Sequence, residues 1–580
     1  MNPGNLGFVR TVNRGMALHV DRDVVLLNAD TLVHGDWLRR IAAVAYSADD
    51  IGTVTPLSND ATILSYPSEG TPLADVSVPF LDGLAAAVSA PDDVVDLPTG
   101  VGFCFYIRRD CLDAVGYFEA ETFGQGYGEE NDFCWRARGR GWRNVAALNT
   151  FVGHVGGSSF GAEKAARIGA ALAALDRRHP DYQPAVHAFI AADPMAPHRR
   201  ALDLAWARAL GSYPCLIVCP VLGGGTDRFV EGQVTTLRAD GTGVLLLRAE
   251  GPPETPRVRL ELPDAPHLRS MVYDAMADLP QLMRDLQGLG VERMIVHHVL
   301  KTTDGLLATL AGRWRYDVHI HDYIWICPRI NLVDGGGRYC GEPAVTVCEE
   351  CIQANGHELR PGLSVAMWRQ SMAGFLAGAA QVICPSHDAA RRLAVYAPGA
   401  RMVVQPHPDI PIPPAAPLAA ANPSRLRVAV VGAMGEPKGY DVLLGCALDA
   451  ASRNLPVEFC LVGYSKDDGS LLATGRILIT GRYDADEAGE LIRLNGCHLG
   501  FLPSIWPETW SYTLTEMLAA GLRVAAFDLG APAERLRAYG SGLLLPLGMA
   551  VPQVNDALLE LGRRQGIVPS SGAGCVAPMA

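Results

Sequence analysis

Basic charge is in short supply. The chain has 580 residues, with 49 Lys and Arg against 62 Asp and Glu, and a formal net charge of −13. A chain of that sign has no global attraction to nucleic acid or to anionic lipid. Aromatic residues make up only 7% and do not alternate with basic runs, which argues further against nucleic-acid binding. No apolar run approaches the ~18–20 residues that cross a bilayer. Met1 is followed by Asn, Pro and Gly instead of a basic and then an apolar stretch, so no secretory leader is expected. No repeat with a period of about 20–50 residues is visible.

What is present fits a soluble globular protein, 49% apolar and 19% charged. The length exceeds one hydrophobic core and suggests about three to four domains. Several of the fourteen cysteines sit in apolar strand-like runs, "CLIVCPVL" and "VEFCLVG", as buried thiols of a reducing compartment would. These readings place the chain in the cytoplasm, with at most peripheral contact with the inner membrane face.

Three regions separate by pattern. Residues 1–195 hold strands such as "DVVLLNAD" and end in an Ala-rich helix near 162–176. A Pro/His/Arg stretch near 194–200 reads as linker. From Tyr213, short apolar strands ("CLIVCPVLGGG", "GVLLLRAE", "RMIVHHVL", "DVHIHDYIW", "QVICPS") alternate with helical lengths. That alternation predicts an α/β domain with a parallel sheet. The Pro/Ala-rich stretch 407–424 reads as a hinge, and a second α/β series follows it. The expected domains are therefore 1–195, 196–410 and 411–565, with a disordered tail at 566–580.

Within the second series, "SIWPETWSYTLTEMLAAG" carries Glu508 and Glu516 eight positions apart. Pro507 marks a loop entry, and the helix is expected to begin after Glu508 with Ser511 or Thr509 as its cap. The first N–H groups of that helix, near Ser511, Tyr512 and Thr513, are then placed to hold an anion. A diphosphate there would have Glu508 on one side, gripping sugar hydroxyls, and Glu516 on the other, gripping a ribose. Two solvated glutamates on an amphipathic helix are the competing reading. The strand "HLGFLPS" ahead of the loop favours the site, because α/β ligands bind at the carboxyl ends of parallel strands.

This segment resembles the E-x7-E motif of retaining glycosyltransferases of family 4, which have the GT-B fold of two Rossmann-like halves. "VVGAMGEPKGYDVLL" resembles that family's phosphate-gripping loop, with Gly432 and with Lys438 at the phosphate lysine. Ala433 stands where the family commonly has arginine. "PVLGGGTDRFV" resembles its N-terminal glycine loop, and Gly224 and Gly225 are expected to let the backbone approach the donor. His321 in "HIHDY" stands where the family places a histidine near the reacting sugar. His297 and His298 in "VHHVL" are read as structural. The resemblance spans about 213–560. It implies retaining transfer without a protein nucleophile or cofactor, the leaving diphosphate being stabilised by Lys438 and the helix N-terminus.

Between the two series, "CPRINLVDGGGRYCGEPAVTVCEEC" holds Cys327, Cys340, Cys348 and Cys351. Four thiols ending in C-x2-C suit a tetrahedral structural Zn²⁺, with His357 as a substitute ligand. A reduced loop without metal is the alternative.

In the first region a strand ends at Asn28-Ala29-Asp30. Asp30 could bind a divalent cation, Mg²⁺ or Mn²⁺, together with a diphosphate, although a turn would use the same residues. "FGQGYGEENDFCW" groups Glu129, Glu130 and Asp132. Like charges so close raise at least one pKa, which suits a general base, while a helix start would carry the same acids. His154 in "FVGHVGGSS" is a candidate metal or diphosphate ligand. Together these resemble inverting family 2 glycosyltransferases of the GT-A fold, close to rhamnosyltransferase-like members acting on bacterial surface polysaccharides. Asn28-Ala29-Asp30 stands for the D-x-D, and Glu130 or Asp132 for the base. The resemblance also implies a nucleotide-base-binding strand–helix–strand unit ahead of "NLGF", so residues 1–195 are expected to be a partial domain with open sheet edges and weak or no transfer.

The expected function is glycosyl transfer from a nucleotide-sugar donor to a glycan or lipid-linked acceptor, in bacterial surface polysaccharide synthesis. The alternatives are a GT-B sugar-nucleotide epimerase, distinguished by needing no acceptor, and a non-catalytic scaffold of a polysaccharide assembly complex.

Overall fold

The computed structural model describes residues 6–567 other than 76, 124–125, 156–160, 358, 360–361, 409–410, 413–424 and 485. Most of the expected hinge 407–424 and residues 568–580 of the expected tail lie outside the described residues. Among the described residues, no helix is long and apolar enough to cross a membrane.

The chain divides into two compact units. The first comprises residues 1–212 with 259–273 and 284–289, and the second holds the rest. The first unit is built on a five-stranded mixed sheet. In spatial order its strands are Val24–Leu27, Cys104–Ile107, Ile51–Leu57, Arg143–Phe151 and Val94–Asp96. The two central strands Ile51–Leu57 and Arg143–Phe151 run parallel, and the pairings toward both edges are antiparallel. Ile51–Leu57 is buried along its whole length, Thr53 and Thr55 included.

The expected linker at 194–200 is instead the start of a helix, Ala196–Leu210. Pro197 sits in its first turn, where a missing N–H costs nothing. Leu202 joins the core of this unit, and buried Asp203 accepts a 2.9 Å hydrogen bond from Tyr66 Oη. The unit boundary therefore falls after Ser212 and not at 195.

The second unit contains two parallel sheets, the GT-B arrangement. The first is part of an eight-stranded sheet, six neighbouring strands of which run in the order Val244–Glu250, Cys215–Val218, Arg293–Val296, Arg315–His319, Gln381–Cys384 and Met402–Val404. All five pairings are parallel. The second sheet runs Ile477–Ile479, Val457–Ser465, Leu426–Met434, Leu499–Leu502, Arg523–Phe527 and Leu543–Leu545, again all parallel. In each sheet the chain reverses its direction of winding beside its first strand. Loops leaving the strands at that point diverge and open a crevice. In the first sheet these loops carry the glycine run 223–225 and His297–His298. In the second they carry Gly432–Lys438 and Pro503–Ser511.

Candidate functional site

The carboxyl end of Leu499–Leu502 leads through Pro507 to Glu508, and the helix Tyr512–Ala519 begins four residues later with Ser511 as its cap. Ser511 has a φ of 88°, and its hydroxyl accepts from Leu514 N–H. Arg535 donates to the Ser511 carbonyl at 2.7 Å and stacks over Trp510 at 4.0 Å, which holds this strained residue in place. Glu508 is thus on the loop and Glu516 on the helix.

Glu508 is buried, at 2% exposure. Its Oε2 lies 2.8 Å from Lys438 Nζ, and its Oε1 is buried with no hydrogen-bond partner among the described residues. A buried carboxylate oxygen left bare is costly unless something donates to it. A sugar hydroxyl is one such donor. Gly432 (φ 111°) lies near the end of the strand Leu426–Met434, and the loop that follows it carries Lys438 and turns at Gly439 (φ 85°). A Cβ at Gly439 would sit 2.0 Å from the Pro503 carbonyl oxygen, so the close packing of these two loops requires glycine there.

Glu516 is also buried. Arg228 Nη1 lies 3.1 Å from its Oε1, and Tyr483 Oη donates to its Oε2 at 3.3 Å. Arg228 belongs to the helix Gly224–Ala239 of the other sheet, so an ion pair joins the two halves of this unit. The Arg228 guanidinium also lies 4.7 Å from the Tyr512 ring centre. Gly225 faces the same ring: a Cβ there would come within 3.1 Å of it. The glycine run therefore gives close approach of one half to the other. The sequence reading missed Arg228, although it follows the glycine run by one helical turn.

His321 follows the strand Arg315–His319. Its carbonyl accepts a 2.6 Å hydrogen bond from Thr509 Oγ1, next to Glu508, so the histidine and the two-glutamate loop meet. Its ring belongs to a group of four histidines around Phe229, with His297, His319 and His407 at 4.4 to 5.6 Å between ring centres. His297 Nδ1 is 2.9 Å from His321 Nε2, and His297 Nε2 donates to Gln233 Oε1 at 2.7 Å. Burial is the main cause that holds all four rings uncharged. It takes His319 down to about 4 and His407 to about 3, and places His297 and His321 well below the usual range. His298 has both ring nitrogens engaged: its Nδ1 accepts from Leu300 N–H and its Nε2 lies 2.9 Å from Asp322 Oδ2.

Cys327, Cys340, Cys348 and Cys351 all line one cavity of about 160 Å³. They are half-buried, whereas the other nine described cysteines are buried. Arg369 donates to Cys348 Sγ at 3.3 Å. Among the described residues, no group of three or more His, Cys, Asp or Glu is drawn together closely enough to hold a metal ion.

In the first unit, Asp30 and His154 come together across the two-residue ribbon Thr31–Leu32 and Gly153–His154. His154 Nε2 lies 3.6 Å from Asp30 Oδ1. His154 Nδ1 lies 2.9 Å from the Asp60 carbonyl, to which only an Nδ1–H can donate, and this contact turns Nε2 toward Asp30. Such an orienting hydrogen bond is typical of metal-ligating histidines.

The three acids of "GEEND" separate in role. Asp132 is fully buried, with Oδ1 on His179 Nε2 (2.9 Å) and Arg178 Nε (3.0 Å) and Oδ2 on Arg136 Nε (2.8 Å). Burial pushes its carboxyl up, but the bonds from His179 and Arg136 outweigh it and hold the group below the ordinary carboxylate range. With both oxygens engaged, Asp132 anchors the helix Glu129–Arg138 and is not an open base, which corrects the expectation for it. Glu129 and Glu130 each keep one buried oxygen without a partner among the described residues. Glu129 is pushed up to about 8, first by burial and then by the Glu130 charge, and burial raises Glu130 as well. Burial, more than the like charge read from sequence, is the larger cause.

Residues 425–563 match the family model described as Glycosyl transferases group 1, and residues 1–168 match that described as Glycosyltransferase like family 2. No curated protein matches the chain. Among solved structures, a sucrose-phosphate synthase from Thermosynechococcus elongatus is similar at 14% identity and a TM-score of 0.42, over 61% of this chain and 90% of that one. The Anabaena protein HepE in complex with UDP is similar at 14% identity and 0.38, over 61% and 91%. The pneumococcal O-GlcNAc transferase GtfA in complex with UDP and GlcNAc is similar at 10% identity and 0.40, over 61% and 93%. The chain thus joins a glycosyltransferase region of the family 2 type to a glycosyl transferases group 1 region.

Proposed function

We propose that the second unit transfers a glycosyl group, with retention, from a nucleoside-diphosphate sugar to a glycan or lipid-linked acceptor. The observation that carries this reading is the pair of buried glutamates, each joined to a cation, on either side of the helix N-terminus at the point where the second sheet reverses. Lys438 and the backbone at Ser511, Tyr512 and Thr513 hold the diphosphate and take up the charge that develops on it as the sugar leaves. Glu508 grips sugar hydroxyls through its bare Oε1, and Glu516 grips the ribose. His321 meets the sugar from the other sheet. Bacterial surface polysaccharide is the pathway that the rhamnosyltransferase-like resemblance of the first unit suggests.

In the first unit Glu130 is read as the base of an inverting transfer, taking the proton of the acceptor hydroxyl. It must be ionised to do so, against the burial that raises its pKa. Asp30 and His154 Nε2 would hold a divalent cation, leaving other positions to a diphosphate, whose charge the cation offsets when bound. The cysteine loop is read as a structural Zn²⁺ site, whose occupation would draw the four thiols inward and displace their protons.

Donor binding tests the reading. The full chain would be melted against UDP-, GDP- and dTDP-sugars, alongside Glu516→Ala and Asp30→Ala. A donor at 100 times its Kd adds about 2.7 kcal/mol of stability. One donor that raises the melting temperature of the parent and of Asp30→Ala, but not of Glu516→Ala, supports the assignment to the second unit. No response to any donor sinks it in favour of a scaffold. Turnover of a bound donor to its epimer without acceptor would replace transfer by epimerisation.

A further inference from the structure

We propose that Gln233 and His297 are positioning residues that set the tautomer of His321, fixing its proton on Nε2 and leaving Nδ1 as a lone-pair acceptor for a hydroxyl of the bound sugar. The inference rests on the reading of this cleft as a nucleotide-sugar site.

The starting point is an amide that has no choice of role at its oxygen. Gln233 Oε1 can only accept, and it lies 2.7 Å from His297 Nε2. His297 Nε2 must therefore carry the proton. The ring is fully buried, with His319, His407 and the Arg248 charge near it, so a second proton is strongly disfavoured. His297 Nδ1 is then bare. Its 2.9 Å contact with His321 Nε2 is a hydrogen bond only if His321 Nε2 donates. His321 is itself kept uncharged, by burial and by the neighbouring histidines His297, His407, His319 and His298. One proton on Nε2 leaves none for Nδ1. Among the described residues His321 Nδ1 makes no hydrogen bond, and its carbonyl accepts from Thr509 Oγ1.

The whole relay would invert if the Gln233 amide were turned over. The distances speak for the orientation present. The amide's other end, Nε2, lies 3.3 Å from His319 Nε2. A contact of 2.7 Å suits N–H to carbonyl oxygen, and 3.3 Å suits the longer nitrogen-to-nitrogen contact. Turned over, the short contact would fall between two nitrogens. His319 Nε2 also receives the amide N–H, so one glutamine side chain fixes protons on two rings. The chemical consequence is selectivity. A bare Nδ1 accepts from a hydroxyl and repels an anionic oxygen, so His321 addresses the sugar and not the diphosphate.

The test is the tautomer itself. The full chain would be labelled with ¹⁵N-histidine, and long-range ¹H–¹⁵N spectra recorded near pH 7 without donor, the His321 signals being assigned by their loss in His321→Asn. The expected pattern is a protonated Nε2 and an unprotonated Nδ1 at His321. In Gln233→Leu, with the fold checked by melting, that pattern should give way to mixed tautomers. A protonated Nδ1 or a charged ring in the parent protein overturns the proposal, and so does an unchanged His321 pattern in folded Gln233→Leu. The parent spectrum decides even where the variant misfolds. Because no donor is present, failure here is distinct from failure of the donor-binding test.

Discussion

Lys438 Nζ lies 2.8 Å from Glu508 Oε2, so the cation proposed to meet a phosphate is already bound to the carboxylate proposed to meet a sugar. The lysine is 38% exposed at its side chain and the glutamate 3%. The lysine can therefore reach solvent and ligand while still screening a charge that cannot. Each partner predicts a different failure.

Lys438→Met leaves the Glu508 carboxylate buried and uncompensated, which costs about 3–5 kcal/mol. The variant should lose donor affinity and melt early. Glu508→Gln removes the charge with the shape kept. It should melt near the parent temperature and lose about 10²-fold or more in kcat/KM. Thermal melting and initial transfer rates separate the two. Equal stability losses in both would sink this account of the pair.

Arg228→Ala should act on the donor site from the opposite half. It removes the 3.1 Å pair with Glu516 and the contact with Tyr512. Affinity for the nucleotide is expected to fall by about tenfold or more, since losing the charge partner of a buried carboxylate costs a few kcal/mol. Titration with the unhydrolysed donor measures it. Donor affinity identical to that of the parent would count against a shared site.

The two acids of the first unit should give opposite pH dependence. Glu129 is held at about 8 in the folded chain, above its unfolded value. Between the unfolded value and about 8 the folded state keeps a proton that the unfolded state has lost, so stability falls as pH rises. Glu129→Gln should remove that fall and melt higher than the parent at pH 8. Asp132 is held below its unfolded value. Its contribution is present above the unfolded value and lost as pH falls through the folded one. Asp132→Asn should melt lower at pH 7, with the difference shrinking toward acid. Melting curves from pH 3 to pH 9 decide both, and parallel curves for either variant and the parent would refute its assignment.

Zinc should be present in stoichiometric amount in protein purified without chelator, as measured by elemental analysis. Cys348→Ser with Cys351→Ser should release it and lower the melting temperature. Burial pushes the Cys327 thiol up to about 11, so metal uptake must displace protons and should weaken as pH falls. Metal-free parent protein would leave the loop as an ordinary reduced one.

Much of the second unit's layout was legible because its candidate groups lie in contiguous segments. Glu508, Ser511 and Glu516 fall in one strand–loop–helix passage whose turn residues and strand ends are local signals. Residues that act across the fold left no such trace. Arg228 and Gln233 sit on a helix whose sequence reads as amphipathic, and only tertiary packing turns them toward Glu516 and His297. Asp132 was misread for the same reason: its partners Arg178 and His179 lie 46 and 47 positions away. The stretch 194–200 misled because Pro197, a turn signal in general, is also compatible with a first helical turn.

The hydrogen bond from Thr509 to the His321 carbonyl has a consequence for timing. The histidine is carried by one sheet and the hydroxyl by the other, only one residue from Glu508. Parting the two halves would break this bond and take His321 away from the glutamate loop. On the function proposed above, a molecule with its halves parted would still hold a nucleotide on the second half but would read the sugar only with the halves together.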